Sequence, residues 1–82
     1  MTLTIGSTPI TMKDGTCDRM VVDCVFDKHE GFLVREISWW DCGNADHTKV
    51  IGRYGFSGAG KEQAQTAYRR AVRYRNKKHG EA

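Results

Sequence analysis

One unbroken stretch limits what this chain can fold into. Residues 61–78, KEQAQTAYRRAVRYRNKK, form its single long segment with helical patterning. Neither Pro nor Gly interrupts the stretch, and Ala, Arg, Lys and Gln are good helix formers. At about 100° per residue, Ala64, Ala67, Tyr68, Ala71, Val72 and Tyr74 fall on one side, the side of a helix that packs on something. Arg69, Arg70, Arg73 and Lys77 fall on the other. Arg69, Arg73 and Lys77, at i, i+4 and i+8, form a stripe. Arg75 lands on the apolar side near the end, from where it is expected to snorkel outward. A single helix covers a single sheet face, so the strands must come from the residues before it.

Those residues alternate with a period of two. Residues 19–26 (RMVVDCVF) read as a strand with Met20, Val22, Cys24 and Phe26 on one face and Arg19, Val21, Asp23 and Val25 on the other. Residues 32–40 (FLVREISWW) read as a second, rich in aromatic and β-branched side chains. Leu33, Arg35, Ile37 and Trp39 share one of its faces; Phe32, Val34, Glu36, Ser38 and Trp40 share the other. Residues 48–54 (TKVIGRY) read as a third, with Val50 and Tyr54 on one side and Ile51 on the other. Residues 3–5 and 10–12 read as short strand pieces around a turn that contains Pro9. Residues 13–16, with Asp14-Gly15, and residues 27–31 are turn signals, residues 41–47 a polar loop, and residues 55–60 (GFSGAG) the entry to the helix.

The expected architecture is α+β: a small antiparallel sheet of three to four strands with one C-terminal helix packed on one face, a single domain over residues 1–82. The other face would carry apolar and aromatic candidates among Val21, Val25, Phe32, Val34 and Trp40. An uncovered apolar face implies a partner or a homodimer, unless the N-terminal segment folds over it. Trp39 and Trp40 must point opposite ways, so one is expected in the core and the other on the far face or at its rim, where Trp is a common binding anchor.

Charge is unevenly spread. Residues 61–78 hold seven Lys and Arg against one acid, Glu62, a net of +6, whereas residues 1–60 hold six against eight, a net of −2. A mildly acidic body thus carries a basic arm, which bears on partners and encounter rates. A chain of 82 residues buries a modest core and is small for an enzyme with a closed active site. No apolar run approaches the ~20 residues of a membrane span. The first residues lack the basic and apolar regions of a signal peptide, and three cysteines are an odd number for a disulfide framework. The expectation is a cytoplasmic protein without a membrane.

Several motifs bear on chemistry. Gly55-Phe-Ser-Gly-Ala-Gly60-Lys61 fits the phosphate-loop pattern between a strand and a helix, but Glu62 stands where a Ser or Thr would ligate Mg²⁺, and no βαβ crossover exists. Its glycines are read as a tight connection. Cys17, Cys24, His29, Cys42 and His47 depart from zinc-site spacing, and Cys42 with His47 lacks an orienting group, so no metal, cofactor or catalytic residue is assigned.

From about Arg19 onward the order of elements resembles the three-strand-plus-helix DNA-binding modules of the Apetala-two and integrase arm-binding type. Gly55-Phe56 followed by Ala64-x-x-Ala67-Tyr68-x-x-Ala71 is similar to that family's passage from the third strand into its helix. This chain departs from it in a longer linker between Phe56 and Ala64 and in a longer helix. The resemblance implies that the sheet enters the major groove, with Arg19, Arg35, Lys49 and Arg53 as base-reading candidates. In size and type the chain is also similar to phage-encoded inhibitors of host or CRISPR systems.

The favoured expectation is a small non-enzymatic nucleic-acid-binding protein, with DNA ahead of RNA. Its candidate residues are Arg69, Arg70, Arg73, Lys77 and Lys61 on the helix, joined by Arg35, Arg53 and Trp40 on the sheet. The alternative is an inhibitor, phage-encoded and acting in the host cytoplasm, that binds a nucleic-acid-binding protein complex and blocks its site.

Overall fold

The structure, a computed structural model, describes residues 2–80. Four strands, β1 (Thr2–Ile10), β2 (Arg19–Asp27), β3 (Gly31–Trp40) and β4 (Ala45–Tyr54), precede one helix, α1 (Gly58–Gly80). The strands lie in sequence order in one antiparallel sheet, and α1 packs across one face of it. The fold is α+β, as the alternating strands and the single helical stretch imply.

Turn chemistry fixes the register. Asp27 Oδ1 accepts hydrogen bonds from the amides of His29 (2.7 Å) and Glu30 (3.1 Å), and Gly31 takes φ 89°. A side chain at Gly31 would meet the Tyr54 carbonyl oxygen at 2.5 Å, so both its conformation and its crowding demand glycine. This turn sets Asp27 opposite Gly31 and Cys24 opposite Val34. The same two amides hold the Asp27 carboxyl below its ordinary value, His29 contributing most.

The N-terminal pieces form one continuous strand. The turn expected around Pro9 is a β-bulge farther back, between Thr4 and Gly6, with Ile5 as the extra residue. β1 is an edge strand, so Pro9 lies where a missing N–H costs least. β1 therefore widens the sheet instead of folding over its open face. β4 begins three residues earlier than its apolar pattern, because the turn is confined to residues 41–44 and Ala45, Asp46 and His47 pair with Trp40, Trp39 and Ser38.

The core lies between the sheet and α1: Ile10, Met20, Val22, Cys24, Phe32 and Val34 against Ala64 and Ala71. Phe32 and Val34 are therefore not on the uncovered face. Small residues let α1 approach closely. Gly6 leaves room for the Tyr68 ring, whose hydroxyl hydrogen-bonds the Thr8 hydroxyl. Neither tryptophan joins this core. Trp39 is half-buried on the open face under Arg19, whose guanidinium carbon lies 4.0 Å from the ring centre. Trp40 is exposed at the end of β3, its Nε1 donating to Ser38 Oγ at 3.0 Å. Both lie at the end of β3 opposite the β2–β3 turn.

α1 begins three residues before the expected start because Ser57 caps it. Its Oγ accepts from the Gly60 amide at 3.3 Å, and its carbonyl accepts from Lys61 at 3.0 Å. Gly60 is packed so closely that a Cβ would lie 2.0 Å from the Gly55 carbonyl oxygen. At the other end the His79 carbonyl accepts from the amides of Lys13 (2.9 Å) and Asp14 (3.2 Å), which satisfies a terminal acceptor of the helix. His79 Nδ1 lies 2.6 Å from Asp14 Oδ2, and the hydrogen bond holds the Asp14 carboxyl below its ordinary value. The loop of residues 11–18 is thereby fastened to the last turn of the helix.

Candidate nucleic-acid interface

The helix face turned away from the sheet carries the cationic stripe. Arg69, Arg70, Arg73 and Lys77 are all exposed. Among the described residues, the ion pairs are Arg35–Asp23, Arg53–Glu30, Arg75–Glu36 and His79–Asp14, and none involves those four. Lys61 is exposed on the second turn of α1. Lys77 and Lys78 stand in the last turn, where positive charge also complements the helix dipole.

Arg75 does not snorkel outward. Its Nε donates to Glu36 Oε1 at 2.7 Å beneath the helix, and its Nη1 donates to the Ala71 carbonyl at 3.3 Å. The acid on β3 supplies a partner that a helical wheel alone does not contain. Tyr74, expected on the packing side, is instead 61% exposed. Ala64, Tyr68, Ala71 and Arg75 face the sheet and His79 faces the 11–18 loop, which leaves Tyr74 at the rim.

The sheet candidates have different surroundings. Arg35 forms a two-point ion pair with Asp23 (Nε–Oδ1 2.9 Å, Nη2–Oδ2 2.7 Å) on the face away from α1. That hydrogen bonding raises the Arg35 pKa above its ordinary value. The Asp23 side chain is only 8% exposed, so the pair is part of the fabric of the sheet. Arg53 approaches Glu30 at 3.5 Å with both side chains at least half exposed, a contact worth about 0–1 kcal/mol. Trp40 sits apart from the stripe at the far end of β3. Val25 and Leu33, on the same face as Arg35, are already buried in the single chain.

Between α1 and the edge strand β4 runs an open cleft of about 800 Å³. Ile51 and Tyr54 line it from the strand, and Ala67, Arg70 and Tyr74 from the helix. A bulge creates it: Arg35 pairs with Val50 and Val34 with Gly52, so Ile51 is the extra residue and turns to the same side as Tyr54. The regular alternation of β4 put these two on opposite faces. Gly52 adds no side chain, and Tyr54 lies back over it. The bulge has no signature in the sequence. The exposed Tyr74 has one, in that its wheel position borders the Arg70 edge of the stripe.

The phosphate-loop pattern is structural. Its Gly60 amide is engaged by Ser57, and its Gly60 Cα is pressed against Gly55. Cys17, Cys24 and Cys42 are free thiols, the first two with pKa raised by burial. Cys42 lies in the turn after β3, at φ 55°, and His47 lies within β4. Among the described residues no group of three or more His, Cys, Asp or Glu is placed to hold a metal ion, and no helix is long and apolar enough to cross a membrane. Compared with known proteins, the chain matches no family model, and it has no significant match to a curated protein or a solved structure.

Proposed function

We propose that this protein binds nucleic acid, without catalysing a reaction, through the outward face of α1. Arg69, Arg70, Arg73 and Lys77 contact backbone phosphates, and Lys61 extends the track toward the start of the helix. One observation carries this reading. Of the seven Lys and Arg in residues 61–78, Arg75 alone is paired with an acid of the body among the described residues. A row of unpaired cations on a rigid helix is a phosphate-binding surface with its geometry already set. The sheet that the Apetala-two resemblance would place in the groove is less suited. Arg35 is committed to Asp23, and Arg19 lies over Trp39.

The test is titration of a labelled DNA duplex at rising salt. Four phosphate contacts give a log–log slope of about −4. A slope near zero, or no binding at low salt, sinks the reading. Retention of an acidic protein partner after nuclease treatment, with no DNA binding, would move the same stripe to the inhibitor alternative.

A further inference from the structure

The cleft beside β4 is not explained by phosphate contact alone. Tyr74 is 61% exposed at its rim, and Ile51, at 39%, is exposed across from it. Tyr74 makes no hydrogen bond among the described residues, so its ring does little for the fold. Arg70 both lines the cleft and belongs to the stripe. Lys78 Nζ lies over the Tyr74 ring, 6.0 Å from its centre. An exposed aromatic ring thus has Lys78 over one face and Arg70 beside it on the cleft lining, each four residues away on the helix. Glu62 is the one carboxylate on the lining, and the second guanidinium there, Arg75, is held by Glu36.

A duplex keeps its base faces stacked inside and offers a helix only phosphates and groove edges. A single strand offers its base faces as well, and an aromatic ring in a cationic groove is the surface that takes them. We propose that the cleft between α1 and β4 takes an unpaired base of single-stranded nucleic acid. Its ring stacks on Tyr74 with Ile51 behind it, and the adjoining phosphates lie on Arg70 and Lys78. This deepens the nucleic-acid reading and rests on it: the stripe holds the backbone, and the cleft selects unpaired strands.

Fluorescence anisotropy with a labelled oligothymidine, the matching duplex and an abasic strand of equal length tests the proposal. The expected result is single-strand affinity about tenfold above that for the duplex or the abasic strand. Tyr74→Ala removes that preference, Tyr74→Phe keeps it, and neither changes duplex affinity. Circular dichroism of both variants matches wild type, because the ring is exposed. Equal affinity for all three probes, or an unchanged preference in Tyr74→Ala, overturns the cleft assignment while leaving the stripe intact. Absence of binding to every probe overturns the underlying reading with it.

Discussion

The uncovered face of the sheet and the outward face of α1 both display arginine, with opposite outcomes. On the sheet, the register sets Asp23 opposite Arg35, and the pair closes with two short hydrogen bonds. On the helix, Arg69 and Arg73 are neighbours at i and i+4, and no acid lies within a turn of either on that face. Cross-strand pairing brings together residues distant in sequence, so a sheet can neutralise a cation with an acid from elsewhere. An exposed helix face has only its own sequence, and the outward face here carries Arg69, Arg70, Arg73 and Lys77 with no acid among them. The same guanidinium is therefore a structural part in one place and an available ligand group in the other.

Reversing the stripe breaks the comparison most severely. Arg69→Glu with Arg73→Glu and Lys77→Glu should weaken nucleic-acid binding about 100-fold, close to 3 kcal/mol, at moderate salt. The melting temperature should barely move, because all three side chains are exposed.

The sheet face should behave the other way. Asp23→Ala leaves Arg35 half-buried and unmatched, and should cost about 2 kcal/mol in urea unfolding. Its effect on binding should be small. Replacing both partners, Asp23→Val with Arg35→Leu, should recover most of that stability, since two well-packed apolar groups can substitute for a buried pair.

Glu36→Gln tests the boundary between the two surfaces. It removes the acid that holds Arg75 under the helix, and should cost about 1 kcal/mol of stability. If the freed guanidinium turns outward, the salt slope steepens by about one unit. An unchanged slope with lower stability shows that Arg75 stays within the fold.

The smallest effect expected is one of pH. Asp14 has its carboxyl lowered from 3.8, chiefly by the hydrogen bond from His79. A depressed carboxyl stabilises the folded state at pH above the unfolded value, and that contribution fades as pH falls through the folded one. The stability gap between wild type and Asp14→Asn should narrow as pH drops below 3.8. A gap that stays constant down to strong acid would show that the loop is held by the backbone bonds to His79 alone.

Much of this was legible in the residues. Period-two alternation gave β2 and β3, Asp27 and Gly31 gave their turn, and the uninterrupted run gave α1 and its cationic side. Three features were not legible because each depends on a partner distant in the chain. Arg75 reads as a misfit until Glu36, 39 residues earlier, is placed beneath it. Ile51 changes sides through a bulge that depends on how β4 meets β3. Ala45 to His47 pair as a strand despite their polar character because the end of β3 offers them hydrogen bonds. The tryptophans show the limit of alternation: it assigns opposite directions to Trp39 and Trp40 but does not show that neither joins the core.

The fastening of the 11–18 loop to His79 also has a consequence during synthesis. Residues 13 and 14 find their acceptor only after the ribosome has released residue 79, some 65 positions later. Closing so long a span is slow compared with zipping a local hairpin. The connection between β1 and β2 therefore takes its final form only after residue 79 has emerged, and nascent chains stalled before that point carry it open.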